Sequence, residues 1–133
     1  MAWEGSHIGM VDSLAAQEAD TLEASSAEMM SVAAGDALFK GNCAQCHAVN
    51  EVVVGPALAG ITKRQSEKWI VQWIQNSSKV IASGDVYAMK LYEDYGKQQM
   101  PSFQLSEQEI KDILLYAEKQ KDPIVNAGGG IYD

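Results

Sequence analysis

Residues 43–47 read Cys43-Ala44-Gln45-Cys46-His47, and the rest of the chain is read outward from them. Two cysteines separated by two residues, with a histidine directly after the second, form the pattern of covalent c-type haem attachment. On a helical turn both thiols reach the vinyl groups along one porphyrin edge, and the adjoining imidazole faces the iron as proximal ligand. A Cys-x-x-Cys pair also serves structural zinc or dithiol redox chemistry. Zinc needs a second pair of ligands, and the only other histidine, His7, stands alone near the N-terminus. A thioredoxin-like context needs strands alternating with helices, whereas the only β-branched run is the short Val52-Val53-Val54. The haem reading therefore leads.

Upstream of the motif, Gly35 to Lys40 has helical character, with Gly35 and Phe39 one turn apart on one face. Gly41-Asn42 breaks it before the attachment turn. Downstream, Gly55-Pro56-Ala57-Leu58-Ala59-Gly60 is a loop by its Gly and Pro content. A metal-bound histidine has its second ring nitrogen oriented by a hydrogen bond, often to a backbone carbonyl. The Pro56 carbonyl is the candidate acceptor for His47.

A helix is expected over residues 66–76, where Trp69, Ile70, Trp73 and Ile74 form one apolar stripe. Core packing accounts for most of that stripe, and Trp73 is also a candidate donor to a haem carboxylate. Residues 78–84 read as a loop, followed by a helix with Asp85 as N-cap and Tyr87, Leu91 and Tyr95 on one face. Met100 precedes Pro101, which disfavours helical backbone at Met100 and frees its side chain to point inward. It stands 53 residues after His47, far enough to return on the other face of the porphyrin as second axial ligand. Met89 and His7 are its competitors. The last helix opens with Ser106 and Glu109 as a capping box, shows Ile110, Ile113, Leu114 and Ala117 on one face, and stops at Asp122-Pro123.

At 133 residues and 14.4 kDa the chain suits one domain, with a covalent cofactor contributing to a modest core. The net charge of −8 is uneven. Residues 1–34 hold six acids and no Lys or Arg, and the remainder holds 12 acids and 10 bases. Clustered bases for phosphate contacts are absent, so nucleic acid is not an expected partner. No run of about 18 apolar residues marks a membrane helix. A division into an acidic extension (1–34), a haem domain (35–122) and a C-terminal tail (123–133) is expected. Trp3, Ile8, Met10, Val11 and Leu14 favour an extension wrapped on the domain over a solvated linker. Residues 1–34 carry no basic-then-apolar signal, so a signal or anchor is expected to have been removed upstream.

The order of these features resembles class I cytochromes c. The resemblance rests on Gly35 and Phe39, the attachment motif at 43–47, Gly55-Pro56-x-Leu58, Met100-Pro101, and a closing helix with Ile113 and Tyr116, and covers about residues 33–120. It implies an all-α fold, with helices wrapped around one covalent haem c and the first and last helices crossing at Gly35, Phe39 and Tyr116. It further implies that Cys43 and Cys46 hold the haem, that His47 and Met100 are the metal ligands, and that Pro56 orients His47. Leu58 and Phe103 join the haem surroundings, and Trp73 or Tyr95 become propionate donors.

The expected function is one-electron transfer without catalysis, by a monomeric periplasmic carrier between a quinol-oxidising complex and a haem-copper oxidase, membrane-bound only through a missing anchor or a partner. Alternatives are an excised haem domain of a larger oxidase or reductase subunit, and a haem enzyme or gas sensor with an open distal site. The last needs a polar distal acid or base, for which the domain offers only Arg64.

Overall fold

A computed structural model describes residues 25–121. The expected wrapping of the extension, His7, and the Asp122-Pro123 stop with the tail lie outside them. The chain divides into two compact units, Met1–Ser31 and Val32–Asp133. Of the first, residues 25–31 are described and are helical.

The described residues are helical or irregular, with no strand among them. Helix α1 covers residues 25–42. Among the described residues it is helical from residue 25, ten before Gly35, where the sequence placed the onset of helix. Residues 25–34 contain Ala, Met and Glu, which carry little helix penalty, along with Ser and one Val, and they lack the apolar face that announces a helix from sequence. The attachment turn follows, then α2 (Ile61–Arg64), α3 (Glu67–Gln75), α4 (Ser77–Ala82), α5 (Val86–Asp94) and α6 (Glu107–Gln120).

Local chemistry explains most of these boundaries. Ser66 caps α3 by accepting from Trp69 N, and Asp85 caps α5 by accepting from Ala88 N. Ser106 and Glu109 form the reciprocal capping box at the start of α6. Helix α5 ends through Gly96 and Lys97, both at positive φ (73° and 59°), with Lys97 N donating to Tyr92 O. The expected loop at 78–84 is instead mostly α4. Its onset is signalled by Asn76, whose side chain accepts from Lys79 N, but six residues are too short to show a periodic apolar face.

Two apolar clusters organise the second unit, and α6 carries both. Ile113 and Ala117 join Phe39, Cys43, Val49 and Ala59, with Leu58 and Tyr116 packed against them. Ile110 joins Ile70 and Ile74, with Trp69, Trp73, Met100, Phe103 and Leu114 around them. Leu105 touches both clusters. Ile110 and Ile113 are almost completely buried, and burial of each such side chain contributes about 1.5–3 kcal/mol. Where α1 meets α6, a Cβ on Gly35 would lie 2.0 Å from the Asp112 carbonyl oxygen and 2.9 Å from Tyr116 Cβ. Only glycine permits that approach. The Phe39 and Tyr116 rings then meet with centroids 5.5 Å apart.

Candidate haem site

The first cluster supports the attachment turn. Helix α1 passes directly into it, with Cys43 N and Ala44 N both donating to Phe39 O, and the turn closes through His47 N to Cys43 O at 2.9 Å. Cys43 is thereby packed inside the cluster while Cys46 faces outward, and both are free thiols. Burial pushes the Cys43 thiol up to about 11, so it remains neutral near pH 7.

His47 is oriented by the loop that follows. Its Nδ1 lies 2.8 Å from the Pro56 carbonyl oxygen, across nine residues. The loop is held against the turn by Gly55 N to Cys46 O (2.8 Å), Leu58 N to Ala48 O (3.1 Å) and Ala59 N to Val49 O (2.8 Å). Arg64 closes it from the far side, donating to Ala57 O at 2.8 Å and Ala59 O at 2.9 Å. Two of its guanidinium nitrogens are thus committed to the loop, which argues against Arg64 as a distal acid or base. Gly55 lies under the imidazole, where a Cβ would approach His47 Cε1 to 2.4 Å. With Nδ1 bonded to a carbonyl, the ring carries its proton there and presents an unprotonated Nε2 for coordination. Two free thiols, a fixed imidazole tautomer and a backbone bare of side chain beneath it fit a covalently attached haem.

Met100 belongs to the second cluster, half-buried among Ile70, Ile74, Trp73 and Phe103. Its competitor Met89 is 49% exposed on α5, and His7 lies outside the described residues. Trp73 stacks on Trp69, with ring centroids 5.2 Å apart and planes 11° from parallel. The indole with an assigned polar partner is that of Trp69, which donates to Asp85 Oδ2 at 3.1 Å. Tyr95 lies elsewhere. With Tyr87 and Leu91 it lines a cleft of about 350 Å³ that Val52, Pro56 and Arg64 also line. Tyr87, Leu91 and Tyr95, expected on one face, thus line a cleft shared with the loop that carries Pro56.

Leu58 and Cys43 thus share one cluster, Met100, Phe103 and Trp73 share the other, and Tyr95 and Pro56 share the cleft. Sequence reasoning missed Gly55 as a contact of the imidazole, Arg64 as a clamp, and Ser77, whose hydroxyl donates to the Met100 carbonyl. The Gly-Pro order marked only a turn at the first, and nothing periodic marked the other two.

Residues 32–121 match the family model for cytochrome c. The chain belongs to the cytochrome c family. A curated relative from Synechocystis, "Cytochrome c-553-like", is 30% identical over 83 residues, 62% of each chain. The chain thus spans less than two thirds of that relative's length. Among solved structures, a cytochrome c from Rhodothermus marinus superposes with a TM-score of 0.59 at 30% identity, covering 67% of this chain and 75% of its own. The cytochrome c domain of a Pseudomonas putida protein gives 0.59 at 26% identity, covering 74% and 95%. The class I cytochrome c fold follows, and with it a covalent c-type haem on Cys43 and Cys46. No described helix is long and apolar enough to cross a membrane.

Proposed function

We propose that His47 and Met100 would both bind the haem iron, and that the protein carries single electrons in a bacterial respiratory chain. The observation that carries this reading is the seating of Met100 in an apolar cluster, with Pro101 holding its backbone out of helical geometry. When bound, the haem supplies one-electron exchange between ferrous and ferric iron, and methionine ligation raises its potential. Cys43 and Cys46 hold it, and Pro56 keeps His47 in the tautomer that offers Nε2. Leu58, Phe103 and Trp73, which lie in the two apolar clusters, would surround it and exclude water. Tyr95, at the cleft beside Pro56, is the better candidate for a propionate donor, because Trp73 packs within the cluster that holds Met100.

The physiological pair in this reading is a quinol-oxidising complex as donor and a haem-copper oxidase as acceptor, outside the cytoplasmic membrane. The presence of a c-type haem supports that location. Two measurements test the ligation. Ferric protein should show the far-red absorption band of methionine–iron ligation, and reduced protein should not bind carbon monoxide. Met100→Ala should abolish the band and permit carbon monoxide binding. If the ligand binds the wild-type protein as readily as the variant, Met100 is not an axial ligand. Partner identity is tested by reduction with quinol and bacterial membranes, followed by reoxidation with a purified oxidase. Failure in both directions would sink the respiratory assignment and leave the haem ligation standing.

A further inference from the structure

Ser77 is the fully buried polar side chain among the described residues, at 0% exposure. Serine is mostly a surface residue, and this one opens α4, where capping is already performed by Asn76. Its hydroxyl is directed elsewhere. Ser77 Oγ donates to the Met100 carbonyl at 2.5 Å, across 23 residues.

Two further bonds join the same segments. Phe103 N donates to Ile74 O at 3.0 Å, and Gln75 Nε2 donates to Leu105 O at 3.0 Å. The stretch from Met100 to Leu105 is therefore suspended from the junction of α3 and α4. Of the three bonds, only the one from Ser77 reaches Met100 itself. A buried hydroxyl costs desolvation unless it is bonded, so this bond is the condition on which a serine can occupy the site. Pro101 restricts the backbone on the other side of the same carbonyl. Tied at its carbonyl and restricted by its neighbour, Met100 has little freedom to withdraw its side chain.

We propose that Ser77 is a positioning residue for the axial methionine, fixing the Met100 backbone so that the thioether resists displacement from iron. The proposal rests on the reading of Met100 as the sixth ligand. The test is titration of the ferric holoprotein with imidazole, a ligand that competes with methionine, read through the far-red band. Ser77→Ala should retain the band yet bind imidazole about tenfold more tightly, the size expected for one lost buried hydrogen bond. Ser77→Thr keeps the hydroxyl and should restore most of the wild-type affinity.

Ile113→Val serves as control, since it loosens the other cluster and leaves Ser77 intact. An equal rise in imidazole affinity there would show general softening and overturn the proposal. So would a Ser77→Ala protein with wild-type affinity. If Ser77→Ala fails to accumulate as holoprotein, Ser77→Cys, a weak donor, should shift affinity in the same direction, and no shift overturns the proposal. Survival of the far-red band in Met100→Ala would instead bring down the ligand assignment, and the role of Ser77 with it.

Discussion

Gly55 shows how narrowly His47 is held. Its N–H is spent on the Cys46 carbonyl, and a Cβ at this position would meet His47 at Cε1 and Nδ1, 2.4 and 2.9 Å away. The loop cannot retreat easily, because Arg64 holds the carbonyls just beyond it. Gly55→Ala should therefore turn the imidazole and lengthen its bond to Pro56, at an overpacking cost of about 1–3 kcal/mol. Denaturation of the holoprotein checks the cost, and the hyperfine-shifted ring resonances check the rotation; unchanged ring shifts would show that the loop yields instead. Pro56 was legible in the sequence because an acceptor must lie near the histidine and the loop follows it closely. Gly55 was not, since a glycine beside a proline already has a sufficient explanation as a turn.

At the scale of elements, caps were legible and short helices were not. Asp85 and the pair Ser106 and Glu109 act through side-chain oxygens on backbone N–H groups a few residues away, so the information is local. Helix α4 has no comparable face, and its meaning is tertiary: it packs against α3 and α5 and brings Ser77 to Met100. The crossing of α1 and α6 lies between these cases. Gly35, Phe39 and Tyr116 are ordinary residues until the resemblance places them together, and the contact at Asp112 then explains the glycine. Gly35→Ala should destabilise the holoprotein by about 3 kcal/mol or more, at the upper end of overpacking, because the nearest obstacle is backbone rather than a flexible side chain. Thermal unfolding followed through helical absorption checks it. A loss below about 1 kcal/mol, the scale of volume-conserving changes, would mean that the two helices can separate without losing the clusters on α6.

At the scale of the molecule, α6 joins the two apolar clusters, one carrying the attachment turn and the other carrying Met100. Charge is distributed without regard to that division. The chain carries −8 overall, and five of its 18 acids but none of its 10 Lys and Arg lie in residues 1–24. Such a field acts on association rates more than on the fold. Reduced protein should therefore be oxidised faster by a cationic cobalt complex than by an anionic iron cyanide of similar driving force at low salt. The two rates should converge as ionic strength brings the Debye length down to about 8–10 Å. A chain starting at Ser25 should show a smaller salt dependence with both reagents, since it has lost acids and no bases. If its salt slopes match those of the full chain, the first 24 residues do not act on the electron-transfer edge. The surface charges around the cleft, Arg64, Lys90 and Asp94, would then govern approach to the haem, and charge reversal at Lys90 would move the slopes where truncation did not.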